Sequence, residues 1–208
     1  MDLRLDAVEA RVLGSLLEKE IATPEYYPLS LNALVNACNQ KSNRDPVVQY
    51  DDDTVEAALD RLRDRGLGLR STGRDSRVPK HAQRFTEAHN LGRREAAVMC
   101  VLLLRGPQTT GELRGRSERL YTFDDLEAVE STLRRLGEME FVTQLPRQPG
   151  TKEPRWAHLL SGEVEIAEAP AAAAPVERGP GDRERIARLE AELADLRREF
   201  DDFKRRFE

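Results

Sequence analysis

Two stretches of the chain place hydrogen-bond donors densely enough to hold a nucleic acid. The first is the turn Asn39-Gln40-Lys41-Ser42-Asn43-Arg44, with several donor types and no acid before Asp45. Asn and Gln side chains read adenine edges, while Lys and Arg hold phosphate or guanine. The second runs from Arg70 to Phe85, where Arg70, Arg74, Arg77, Lys80 and Arg84 face a single acid, Asp75. A hairpin charged in this way tracks phosphates or sets an arginine in a minor groove. The candidate nucleic-acid-binding residues are therefore Lys41, Ser42, Asn43, Arg44, Arg70, Arg74, Arg77, Lys80 and Arg84. Each stretch also has a plainer reading. Asn and Ser of the turn bond their own backbone, with Pro46 stiffening the exit. The hairpin arginines pair with neighbouring carboxylates in a solvated loop.

Catalysis and metal binding find little footing. His81, His89 and His158 stand in no metal-ligand spacing with Cys38 or Cys100. The chain contains no P-loop, dinucleotide fingerprint, nucleophile elbow or zinc-protease motif. Cys38 and Cys100 lie on apolar faces of expected helices and read as core thiols. They are the only cysteines, which excludes a disulfide framework and fits a reducing cytoplasm. The expectation is a protein that is not an enzyme and holds no cofactor or metal.

The elements that position the two stretches follow from an internal repeat. Val55, Glu56, Leu59 and Leu62 match Val129, Glu130, Leu133 and Leu136 at a constant offset of 74 residues. Upstream, Glu9, Val12, Leu13, Leu16 and Leu17 match Glu95, Val98, Met99, Leu102 and Leu103 at an offset of 86. The second copy has therefore lost 12 residues between its first and third helices. Two copies of this length mean two domains of one fold. Each reads as three helices followed by a hairpin.

In the first copy, Leu5, Val8, Val12, Leu16 and Leu17 recur at helical spacing. Ser30 caps a second helix. Asp53-Thr-Val-Glu56 has capping-box spacing before a third helix that stops at Gly66. Strands follow at about 67–71 and 78–85. In the second copy, Thr109 to Glu112 and Thr122 to Asp125 are capping boxes, with strands at about 141–145 and 155–160. Trp156 on the last strand reads as a core or interface aromatic. Helix, helix, helix, hairpin is the order of a winged helix, a helix-turn-helix variant. The expected fold is mainly α with small β-hairpins: two tandem winged-helix domains at 1–90 and 91–166, a linker at 167–181 and a coiled-coil helix at 182–208.

Composition sets limits on this reading. The 208 residues are 34% charged and only 5% aromatic, which suits small helical modules better than one enzyme-sized core. No apolar run reaches the roughly 18 residues a membrane span needs. The acidic, amphipathic N-terminus is not a signal peptide. The net charge is −5, against the basic footprint usual for nucleic-acid modules. The third helix of a winged helix enters the groove by its N-terminal end. Here that end carries Asp51, Asp52, Asp53 and Glu56 in one copy and Asp124, Asp125 and Glu127 in the other. These acids complement a helix dipole and repel a polyanion.

The run Asn36-Ala-Cys38-Asn-Gln-Lys-Ser-Asn-Arg-Asp-Pro-Val47 is long and specific. So are Leu16-Leu17-Glu18-Lys19-Glu20 and Thr23-Pro24-Glu25-Tyr26-Tyr27-Pro28-Leu29-Ser30. With Gly92-Arg-Arg-Glu-Ala96 and Leu102-Leu-Leu-Arg-Gly106, they make residues 3–162 resemble the YceH family of uncharacterised bacterial proteins. The resemblance implies tandem winged helices in a bacterial cytoplasm and no established activity.

Beyond the Ala/Pro/Gly linker, Ile186, Leu189, Leu193, Leu196, Phe200, Phe203 and Phe207 form an unbroken heptad seam. In a parallel pair, Arg185 meets Glu190, Glu192 meets Arg197 and Glu199 meets Lys204, all opposite in charge. The seam predicts a parallel homodimer, with a helix packed on its own domains as the competing reading. Two functions stand open. One is a dimeric DNA-binding regulator working through the first hairpin and the Lys41–Arg44 turn. The other is an assembly module whose winged helices dock a partner protein.

Overall fold

Asp6 starts the first helix. Its carboxylate accepts from the Glu9 amide at 2.8 Å, and Glu9 answers by accepting from the Asp6 amide at 2.8 Å. This reciprocal capping box satisfies two of the four free amides of a helix start. The computed structural model describes residues 4–71, 78–147 and 153–162, together with Arg198 and Lys204. Residues up to 165 belong to one compact unit and those beyond to a second. The linker and the heptad seam of Ile186, Leu189, Leu193, Leu196, Phe200, Phe203 and Phe207 lie outside the described residues.

The first unit is mixed α and β, rich in helix with small antiparallel hairpins. Its first copy runs α1 (Ala7–Ala22), α2 (Leu31–Cys38), α3 (Asp52–Asp64), β1 (Gly68–Ser71), β2 (Lys80–Gln83) and a single turn α4 (Phe85–Ala88). The second copy runs α5 (Arg93–Arg105), α6 (Thr110–Ser117), α7 (Leu126–Glu138), β3 (Val142–Gln144) and β4 (Trp156–His158). In each copy a short bridge ahead of the second helix extends the hairpin. Leu29 pairs with His81 through bonds of 3.0 and 2.7 Å, and Gln108 with Trp156 through bonds of 2.9 and 2.7 Å.

Two helix starts differ from the sequence reading. Asp51, not Asp53, caps α3, accepting from the Thr54 amide at 2.9 Å. Asp125, not Thr122, caps α7, accepting from the Ala128 amide at 2.8 Å. Aspartate outranks threonine as a cap. Asp51 and Asp125 stand 74 residues apart, so the repeat locates the caps better than the box spacing does. The helices also end alike. The Leu67 amide reaches the Leu62 carbonyl at 2.8 Å, and the Phe141 amide reaches the Leu136 carbonyl at 2.9 Å. Both closures need a left-handed residue, supplied by Gly66 at φ 73° and by Glu140 at φ 59°.

The hairpins are shorter than expected. The Arg84 amide still bonds the Leu67 carbonyl at 2.8 Å, in register with the ladder, and the chain then turns into α4 at Phe85. This turn sends Phe85 fully into the core. There Phe85, His89 and Phe141 form a ring cluster with centroids 4.9–5.2 Å apart.

One core runs through both copies. Leu13, Leu16, Leu17, Leu34, Leu59 and Leu62 of the first join Met99, Leu102, Leu113 and Leu133 of the second. Burying each such side chain contributes about 1.5–3 kcal/mol. The copies meet where α1 crosses α5. The Cys100 thiol donates to the Gly14 carbonyl at 3.6 Å. A Cβ on Gly14 would stand 2.9–3.0 Å from Leu104 and Leu103, so glycine is what permits the close approach. Gly14 and Cys100 are equivalent positions of the repeat, 86 residues apart. Cys38 and Cys100 are buried free thiols, and burial raises the pKa of both.

Candidate nucleic-acid interface

The turn after α2 is fixed from both ends. Asn39 donates to the Tyr50 carbonyl at 2.7 Å and accepts from the Tyr50 amide at 2.8 Å. Asn43 sits at φ 57°, a conformation asparagine tolerates, and its Oδ1 accepts from Arg105 Nη1 of α5 at 3.1 Å. Between them Lys41 and Ser42 are exposed. The Asp45 amide then bonds the Leu104 carbonyl at 2.9 Å, which docks the turn on the second copy.

Arg44 is a correction to the sequence reading. Its side chain is completely buried and offers nothing to a phosphate. Arg44 Nη2 lies 2.6 Å and Nη1 3.1 Å from the two carboxylate oxygens of Glu18, which is equally buried. Nη2 and Nε also donate to the Ala37 carbonyl at 2.7 and 3.1 Å. Arg119, from just beyond α6, donates to the same carboxylate. Burial pushes the Glu18 carboxyl up, but the Arg44 hydrogen bonds and the charges of Arg44, Arg119 and Lys19 bring it below its ordinary value. Arg44 thus braces the turn within the first copy, Asn43 and Asp45 tie it to α5, and Lys41 and Ser42 are presented at its tip.

The first hairpin presents different chemistry. β1 pairs with β2 so that Arg70 faces His81 and Ser71 faces Lys80. Arg70, Leu69 and Ser71 are exposed, and Lys80 is half-buried. Arg84 points outward but pairs with Glu87 at 3.2 Å, which takes it from the free cations. Arg74 and Arg77 lie outside the described residues. His81 is buried, and burial together with Arg70 and Arg63 lowers its pKa. The hairpin is held by Leu29 and the turn by α5, so the structure does not gather the two candidate stretches on one element.

The third helices carry acid outward. Val55, Ala58, Leu59 and Leu62 of α3 face the core, leaving Asp52, Asp53, Glu56 and Asp60 exposed. In α7 the exposed face mixes Glu127, Glu130, Arg134 and Glu138.

The ion pairs were not foreseen, although the repeat carried their signal. Glu9 is buried and accepts from Arg61 Nε at 2.9 Å and from Arg65. Its counterpart Glu95 is buried and pairs with Arg135 at 3.4 Å. Arg61 and Arg135 are themselves 74 residues apart, so both partners recur in the sequence. Among the described residues no group of three or more His, Cys, Asp or Glu is placed to hold a metal ion. No helix of those residues is long and apolar enough to cross a membrane.

Comparison with known proteins places the chain among relatives. A family model described as "Protein of unknown function, DUF480" matches residues 5–151. The chain is similar to a UPF0502 protein of Solibacter usitatus, at 67% identity over the whole of both chains. A UPF0502 protein of Koribacter versatilis is 54% identical, covering 94% of this chain and 92% of its own. One from Aeromonas hydrophila is 48% identical, covering 95% and 93%.

Proposed function

The chain belongs to the DUF480 family, and on that premise we propose that it is a non-enzymatic, dimeric DNA-binding protein of the cytoplasm. The scaffold of the proposal is a pair of winged helices. The order of helices and hairpin, repeated with a bridging strand before the second helix in each copy, supports it. The contact is made by the hairpin of the first copy and directed at the phosphate backbone. The observation that carries this reading is the exposure of Arg70 on β1, in a hairpin whose sequence between the strands also supplies Arg74 and Arg77 and whose return strand begins with the half-buried Lys80. Base reading by α3 is disfavoured by its exposed row of carboxylates, which would meet one phosphate charge per roughly 1.7 Å of duplex. The heptad seam from Ile186 to Phe207 supports a parallel coiled-coil homodimer.

Fluorescence anisotropy of the full chain on mixed-sequence duplex DNA, across a salt series, tests the proposal. Four hairpin cations give a log–log slope of about −3 to −4 per engaged hairpin. Arg74→Glu with Arg77→Glu, both in the sequence between β1 and β2, should abolish binding. Binding absent at low salt, or unchanged in the double variant, removes the hairpin from any such role.

A second reading, docking of a partner protein, is favoured by the acidic outward face of α3 and the net charge of −5. A stoichiometric protein partner that survives nuclease treatment of the lysate would support that reading over the first.

A further inference from the structure

A cavity of about 300 Å³ opens where α1, the turn following Arg44, the end of α5 and β4 converge. This is the lower end of the volume that small-molecule sites occupy. Its walls are mostly apolar, with Ala10, Leu102, Leu103, Pro107 and Ala157 contributing. Both copies of the repeat supply them.

Arg11 enters this wall while only 4% exposed. Its Nη1 donates to the Cys38 carbonyl at 3.1 Å and its Nη2 to the Pro46 carbonyl at 2.6 Å. Both acceptors are neutral. Among the described residues no carboxylate forms an ion pair with Arg11, and no protein acceptor meets its buried Nε. Burial and the Arg44 charge lower the pKa of the guanidinium, opposed by Tyr50, Cys38 and Asp45. Asp45 lines the cavity with an exposed side chain. A buried cation whose hydrogen-bond acceptors are both neutral, with Asp45 acting only through its field, retains a desolvation cost that a directly bound anion relieves. His158 lines the same cavity, and its Nδ1 is also buried without a protein partner. Burial lowers the His158 pKa to about 4, so the ring is neutral at pH 7 and offers one further hydrogen bond.

We propose that this cavity binds a small carboxylic acid with an apolar body, its carboxylate answering Arg11 and its apolar part the leucine and alanine wall. The inference is independent of what the hairpin touches. A ligand here contacts both copies at once and stabilises their packing by mass action.

Isothermal titration calorimetry on the full chain tests it, using benzoate, cyclohexanecarboxylate and isovalerate, each beside its neutral amide. At least one acid should bind, with its amide at least about tenfold weaker. Arg11→Met should erase the difference between acid and amide. Because Arg11 also holds the Cys38 and Pro46 carbonyls, a second variant leaves those bonds intact. Ala7→Phe, at an exposed position where the cavity meets solvent, should weaken the acid at least about tenfold. Three results would each overturn the proposal: none of the acids binds, acid and amide bind equally, or Ala7→Phe binds as the wild type does.

Discussion

Arg44→Met removes two charged hydrogen bonds to Glu18, two to the Ala37 carbonyl and one to the Asn43 carbonyl, while keeping a side chain of similar length. The Arg44 and Glu18 side chains are both fully buried. Losing one partner of a buried pair costs about 3–5 kcal/mol, because the other charge stays behind uncompensated. Arg119 and Lys19 still face Glu18, which places the expected cost near 3 kcal/mol, the lower end of that range. This is a large fraction of the roughly 5–15 kcal/mol that holds a typical fold. Urea unfolding followed by far-UV circular dichroism reads it as a lower midpoint at unchanged slope. The companion variant is Glu18→Leu, since leucine stands at the equivalent place in the second copy, Leu104. The double variant should be about 1–2 kcal/mol more stable than Arg44→Met alone, as the orphaned carboxylate is gone. The sign of the pH dependence is fixed as well. The Glu18 carboxyl titrates below its ordinary value, so its stabilisation is present above the unfolded value and lost as pH falls through the folded one. The gap between wild type and Arg44→Met should therefore narrow in acid. A cost below about 1 kcal/mol for Arg44→Met, or strict additivity in the double variant, would refute the stabilising role of the buried Arg44–Glu18 pair.

Two further outcomes are expected. His158 has a folded pKa near 4 because of burial, so its contribution is complete above the unfolded value near 6.5 and fades as pH drops toward 4. This term is worth up to about 3 kcal/mol, and His158→Gln should flatten the melting temperature between those limits; an unchanged acid slope would exclude it. Glu140 holds a left-handed conformation at the end of α7, where Gly66 stands in the first copy. Glu140→Gly should stabilise the chain by about 0.5–1 kcal/mol, and a lower melting temperature would contradict the closure described here.

Much of this fold was legible because periodicity and turn residues act locally. Ser30 and Thr109 cap the second helices where expected, accepting from the Ala33 and Glu112 amides. Gly66 ends α3 as expected. What escaped the sequence depended on long-range packing. Arg44 and Glu18 lie 26 residues apart, and Glu18 and Arg119 lie 101 apart. Nothing in the local pattern Asn-Gln-Lys-Ser-Asn-Arg says which donors turn inward. The turn is donor-rich, and its arginine spends its donors on a carboxylate and two carbonyls of its own chain. Arg11 was missed for the same reason, since a single arginine within an amphipathic helix resembles any solvated cation.

The crossing of α1 on α5 brings equivalent positions, Gly14 and Cys100, into direct contact. Self-matching contact of this kind is the hallmark of a homodimer interface, yet here both halves belong to one chain. Covalent linkage makes their association independent of protein concentration, so dilution does not separate them. Linkage also frees each half from serving its mirror image. One half keeps Glu18 and the buried arginine that answers it, while the other has Leu104 in that place and a shorter connection between its helices.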